Sequence, residues 1–158
     1  MNWIDKITAL TTKTDDSPEL KRGQIKTILT EQVSNVLPDF EFKVYKGSEY
    51  KFGRTRNFRS YRLTETLHII FGLKDRNFAC SVSSSLNSNY ADSNSYNTGF
   101  INPHTDLIVL KKGTGVIPID EAYYFHNGRV KTTTKVVEQI IKDYKDFGIP
   151  FLTSNIGG

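Results

Sequence analysis

The one polar cluster in this 158-residue chain that resembles a catalytic pair is His104-Thr105-Asp106, an imidazole and a carboxylate close enough for general acid–base work. Pro103 precedes it at a loop-to-strand junction, where a turn accounts for the same residue types. An enzyme with His104 and Asp106 in its site is therefore a subordinate reading, and no catalytic residue is assigned. The remaining ligand-type side chains are His68, Cys80 and His126. No two of these, or His104, fall at the close spacings of structural zinc sites, so neither metal nor cofactor is expected. Cys80 alternates with Phe78 and Val82, which reads as a buried thiol and not a nucleophile. Lys112-Gly113-Thr114-Gly115 lacks the spacing of a phosphate-binding loop, and the terminal Gly157-Gly158 follows a polar tail instead of a strand.

Binding chemistry is concentrated elsewhere. Lys43 to Arg62 holds seven Lys or Arg residues against one Glu, a local charge of +6 in a chain whose total is +4, so the remainder is −2. Tyr45, Tyr50, Phe52, Phe58 and Tyr61 are interleaved with the bases. Basic groups can neutralise phosphates while exposed aromatics stack on unpaired bases, which makes a single-stranded nucleic-acid binder the second reading. Strand parity argues for a different division of labour, with the aromatics building the core and the bases sharing the opposite sheet face. On that reading Lys51, Arg54, Arg56, Arg59 and Arg62 form a charged contact surface suited to an acidic protein partner.

The elements that position these residues follow from periodicity. Trp3, Ile4, Ile7 and Leu10 share one face of a short N-terminal helix, with a linker to residue 16. Ser17-Pro18-Glu19 has the order of an N-cap, a first-turn proline and a first-turn acid, predicting a helix that begins there and ends before Pro38. Period-two alternation predicts strands around Phe40–Val44, Tyr50–Phe52, Phe58–Leu73 and Phe78–Leu86, with Gly53 a place for a bend or bulge. Residues 87–105 contain a polar, aperiodic loop in which Tyr90 and Tyr96 are candidate contacts. Asp106–Leu110 reads as a strand and Ala122–His126 as another, turning at Asn127-Gly128. A final helix is capped within Thr132–Thr134, carries Val136, Val137, Ile140, Ile141, Tyr144 and Phe147 on its apolar side, and stops at Gly148 and Pro150.

The sum is one α+β domain spanning 1–158, an antiparallel sheet of about five or six strands flanked by an early and a C-terminal helix. A lone cysteine, the absence of an apolar leader and the lack of any apolar run long enough to span a bilayer lead us to expect a cytoplasmic protein without membrane contact. The helix before Pro38, the Arg54-Thr55-Arg56-Asn57-Phe58 run, the strand pair from Leu67 to Leu86 and the end from Tyr144 to Leu152 together resemble a group of small, uncharacterised bacterial α+β domains. Some of these occur beside polymorphic toxins as immunity proteins. The resemblance spans 18–152 and implies a non-catalytic, protein-binding role in an immunity or conflict setting.

Overall fold

The computed structural model describes residues 15–58, 61–88 and 103–154. The expected N-terminal helix, Arg59, Tyr90, Tyr96 and Gly157-Gly158 lie outside them. Alternation of period two builds the sheet. Strands β1 (Glu41–Lys46), β2 (Glu49–Phe58), β3 (Tyr61–Gly72) and β4 (Asn77–Ser88) form an antiparallel meander. Gly47, at φ 64°, takes the left-handed turn between β1 and β2. Two short strands, β5 (His104–Asp106) and β6 (Tyr124–Phe125), both pair with the outer edge of β4 and complete a six-stranded sheet. The architecture is α+β, as the periodicity implied.

Helices α1 (Arg22–Val36), α2 (Leu107–Lys112), α3 (Val130–Asp143) and α4 (Ile149–Ser154) accompany the sheet, and a π-helical turn, Tyr144–Gly148, joins α3 to α4. Ile25, Leu29 and Val33 recur every four residues along α1 and are buried, as are Val136, Val137, Ile140 and Ile141 of α3. They pack on Tyr50, Phe52, Leu67, Ile69, Phe71, Phe78 and Val82. Burying a side chain of this size contributes about 1.5–3 kcal/mol, so the helix-covered face holds the sheet in place. The opposite face, bearing Lys51, Thr55, Arg62, Thr66, His68, Ser81 and Ser83, carries no helix among the described residues.

Several local expectations are corrected. Ser17 does not cap α1, which begins at Arg22 with the Gln24 side chain accepting the Lys21 backbone N–H at 2.8 Å. Residues 18–20 are instead extended alongside 128–130, with Leu20 N–H donating to Gly128 O and Val130 N–H to Pro18 O. That places Asp15 and Ser17 over the start of α3. Ser17 Oγ accepts the Lys131 N–H at 2.9 Å and Asp15 Oδ2 accepts the Thr132 N–H at 3.1 Å, so the first turn of α3 is capped by a distant segment and not by its own threonines. Desolvation works to raise the Asp15 pKa, but hydrogen bonds from Ser17, Thr132 and Asn127 outweigh it and hold the carboxylate well below its ordinary range.

Asp106–Leu110 is likewise not a strand. After three β residues the chain turns into α2, which buries Leu107 and Ile108 and ends at Gly113 in the left-handed region, whose N–H donates to Val109 O at 2.9 Å. Ala122–His126 contributes only the two residues of β6, and Asn127-Gly128 leads into α3 instead of a hairpin. Gly148 and Pro150 do not end the last helix either. Pro150 falls in the first turn of α4, where a missing N–H costs little. Gly148 is required by packing: a Cβ there would stand 2.6 Å from Cδ2 of Tyr144.

Candidate functional site

The basic stretch is divided by its register. β2 pairs with β3 without interruption from Glu49↔Ile70 to Phe58↔Tyr61, so Gly53 introduces no bulge between them, and the irregularity lies on the other side, between Phe42 and Val44 of β1. Opposed residues of antiparallel strands share a face. Arg54 stands opposite Glu65 and Arg56 opposite Leu63, which places both arginines on the helix-covered face with Tyr50 and Phe52. The expectation that all the bases occupy the far face is therefore overturned for Arg54 and Arg56. Lys51 and Arg62 do occupy that face, opposite His68 and Asn57.

Arg54 and Arg56 converge on one buried carboxylate. Glu65 is 0% exposed, and its Oε1 accepts from Arg54 Nε at 2.9 Å and from Arg56 Nε at 3.0 Å. The Arg54 guanidinium also lies over the Phe40 ring, 5.3 Å from its centroid, and 3.9 Å from Asp39. The hydrogen bond with Glu65 raises the Arg54 pKa further above its ordinary value. Two cations on one anion leave a single net charge, so this part of the stretch is structural first. Tyr50 and Phe52 are buried, and neither is available to stack on a base. Beside the cluster the Tyr144 hydroxyl is buried with no hydrogen-bond partner among the described residues, and its pKa is raised by burial and by the nearby Glu65.

His104 and Asp106 are exposed on β5, opposite Ser83 and Ser81, with the half-buried Thr105 between them. His68, in the same row as Lys51 and Ser81, has its pKa lowered by burial and by Lys51. Cys80 is buried, and desolvation pushes its thiol pKa up.

The described surface has a concavity at another corner. A cavity of about 350 Å³ is lined by Ile108, Lys111, Lys112, Glu121, Tyr124 and Gln139, a size within the range of small-ligand sites. Behind it Asp143 is buried and accepts from three of the lining side chains: Lys111 Nζ at 2.9 Å, Tyr124 Oη at 2.9 Å and Gln139 Nε2 at 2.7 Å. Burial raises the Tyr124 pKa, keeping the phenol a neutral donor to Asp143. At the rim Lys112 pairs with Glu121 at 2.9 Å and clips together the two ends of the 113–121 loop. That loop exposes two large apolar residues, Val116 at 87% and Ile119 at 81%.

Comparison of the chain with protein-family models, with curated proteins and with solved structures finds no match. Among the described residues no helix is long and apolar enough to cross a membrane.

Sequence reasoning placed neither Glu65 nor Asp143 in the core, where both are buried. Glu65 shares the parity of Leu63, Leu67, Ile69 and Phe71, and Asp143 falls at the helical spacing of Val136 and Ile140. An acid at a core position of a periodic pattern is the signal that could have found each of them. Lys111 was hidden by reading α2 as a strand.

Proposed function

We propose that the domain is a non-catalytic binding module for a protein partner, in the immunity or conflict setting that the sequence resemblance implies, and that the contact is made at the 113–121 loop instead of the basic stretch. The observation that carries this reading is the exposure of Val116 and Ile119 within four positions of one another, on a loop whose ends are tied by the Lys112–Glu121 pair. Large apolar side chains clustered on a surface beside a pocket favour an interface, and a loop fixed at both ends loses little entropy on docking. Support for an acidic partner meeting a basic sheet face is weakened because Arg54 and Arg56 are committed to Glu65.

The test is affinity capture with the intact chain and with a Val116→Asp/Ile119→Asp double variant. Each buried side chain of this kind is worth about 1.5–3 kcal/mol, so the double variant is expected to weaken a captured partner by more than a hundredfold while its unfolding transition stays in place. A partner held equally by both proteins would refute the assignment of the surface.

A further inference from the structure

We propose that the cavity between α2 and α3 is the anchor pocket of the docking surface and receives one tyrosine side chain from the protein partner, an inference that rests on the 113–121 loop being the contact. Cavity and loop are joined at the rim. Lys112 and Glu121 line the cavity and also tie the ends of the loop, and Glu121 ends the single 3₁₀ turn that Ile119 begins. A partner covering Ile119 therefore reaches the cavity mouth. The lining is set before the partner arrives, because Asp143 holds the Lys111 ammonium, the Tyr124 hydroxyl and the Gln139 amide together, and side chains fixed in this way meet a ligand at low ordering cost.

Charge, volume and hydrogen-bonding capacity narrow the occupant. Lys111 is paired with Asp143 and Lys112 with Glu121, each at 2.9 Å, so the lining is neutral as a set and an ion of either sign would enter without a counterion. Arginine, a common interface anchor, is disfavoured on that ground. The wall is largely carbon, from Ile108, the Tyr124 ring and the aliphatic stems of the two lysines. Its volume of about 350 Å³ lies at the small end of ligand sites, which suits one large side chain. Hydrogen-bonding capacity remains in both senses. After their pairing bonds the ammonium groups and the Gln139 amide keep N–H donors, while the Glu121 carboxylate and the Gln139 carbonyl keep lone pairs. A hydroxyl both donates and accepts, whereas an indole only donates and a phenyl ring does neither. Asn and Gln also do both but bring little apolar surface to the wall. A neutral phenol on an apolar ring meets every condition, and tyrosine is one of the residues that dominate binding at protein interfaces.

An amide-resolved NMR titration of the full chain tests this with N-acetyl-tyrosinamide, its phenylalanine counterpart and its 4-carboxyphenylalanine counterpart. The tyrosine compound is expected to give saturable shifts at Ile108, Lys111, Lys112, Tyr124 and Gln139. The phenylalanine compound should bind about fivefold more weakly and the carboxylate at least about tenfold more weakly. Gln139→Ala, at an exposed position of α3, removes a donor and an acceptor from the lining. It is expected to weaken the tyrosine compound about fivefold, to change the phenylalanine compound by less than about twofold, and to weaken capture of the loop's partner about fivefold. Val116→Asp/Ile119→Asp is expected to leave the titration unchanged. Absence of saturable shifts, a phenylalanine or carboxylate compound that binds as tightly as the tyrosine one, or shifts mapping to another surface would overturn the pocket and leave the loop reading in place. Partner capture lost in the loop double variant but unaltered in Gln139→Ala would overturn the anchor alone. Equal capture by the intact chain and the loop double variant would refute the loop reading, and the anchor role with it.

Discussion

Replacing Arg54 by Met removes the guanidinium that makes two of the contacts to Glu65, at 2.9 and 3.5 Å, and leaves Arg56 as the carboxylate's remaining partner. Glu65 is wholly buried, so it cannot recover the loss from water. Breaking a buried pair from the cation side costs about 3–5 kcal/mol when nothing else compensates, and with Arg56 still bound the expected cost is about 3 kcal/mol. Glu65→Leu is the milder change, about 1–2 kcal/mol, because the Arg54 and Arg56 side chains are 23% and 40% exposed and can turn to solvent. The double variant should then cost about 2 kcal/mol, well short of the sum, giving a coupling of about 2 kcal/mol. Urea unfolding measures all four corners of the cycle. With a slope of about 2 kcal/mol/M, Arg54→Met shifts the midpoint by roughly 1.5 M. Single-variant effects that add within about 0.5 kcal/mol would refute the internal pairing and return Arg54 to the role of a surface charge.

Three further outcomes follow from the packing. His126 is buried between Phe71 and Phe78, donates from Nε2 to Gly72 O at 3.1 Å and accepts the Gly128 N–H on Nδ1 at 3.0 Å, an arrangement only the neutral ring can make. Burial lowers its pKa, Gly72 O favours the charged ring and Arg76 disfavours it. Below the ordinary value of about 6.5 the unfolded chain therefore binds a proton that the fold does not. Stability is expected to be full above that pH and to fall as pH drops through and below it, and the pH dependence of urea midpoints should be flatter in His126→Gln. Gly148→Ala sets a methyl against the Tyr144 ring and should lower stability by about 1–3 kcal/mol, read as a drop in melting temperature; an unchanged value would mean the ring moves freely. Asp15→Ala removes the acceptor for the Thr132 N–H and should cost about 1–2 kcal/mol, with amide exchange at Thr132 accelerating and exchange in α1 unaffected.

The sheet was legible because alternating strands announce themselves: β3 shows the expected period-two burial over most of its length. The apolar side of α3 was equally plain from Val136, Val137, Ile140 and Ile141. What escaped was decided by partners remote in sequence. Ser17-Pro18-Glu19 has the composition of a helix start, yet its hydroxyl serves α3 because residues 18–20 lie along 128–130. Asp106–Leu110 is apolar enough for either strand or helix, and pairing with β4 stops at Asp106, its first residue. Within the basic stretch, the expected division separates aromatics from bases by parity, but Tyr50, Phe52, Arg54 and Arg56 have the same parity and the uninterrupted register keeps all four on one face. The burial of Glu65 and Asp143 could not be read locally because the groups that satisfy each acid, Arg54 and Arg56 for one and Lys111 and Tyr124 for the other, are brought to it only by strand pairing and helix packing.

The capping of α3 by Asp15 and Ser17 has a kinetic side. The acceptor for the Thr132 N–H comes from 117 residues earlier in the chain, so the first turn of this helix is not a product of local sequence. Closing so long a loop carries an entropic cost that must be met before the contact returns anything. The start of α3 is thus expected to become protected late in refolding, after the β2–β3–β4 meander has formed from near neighbours, and the segment before α1 acts as the latch by which an assembled sheet captures α3.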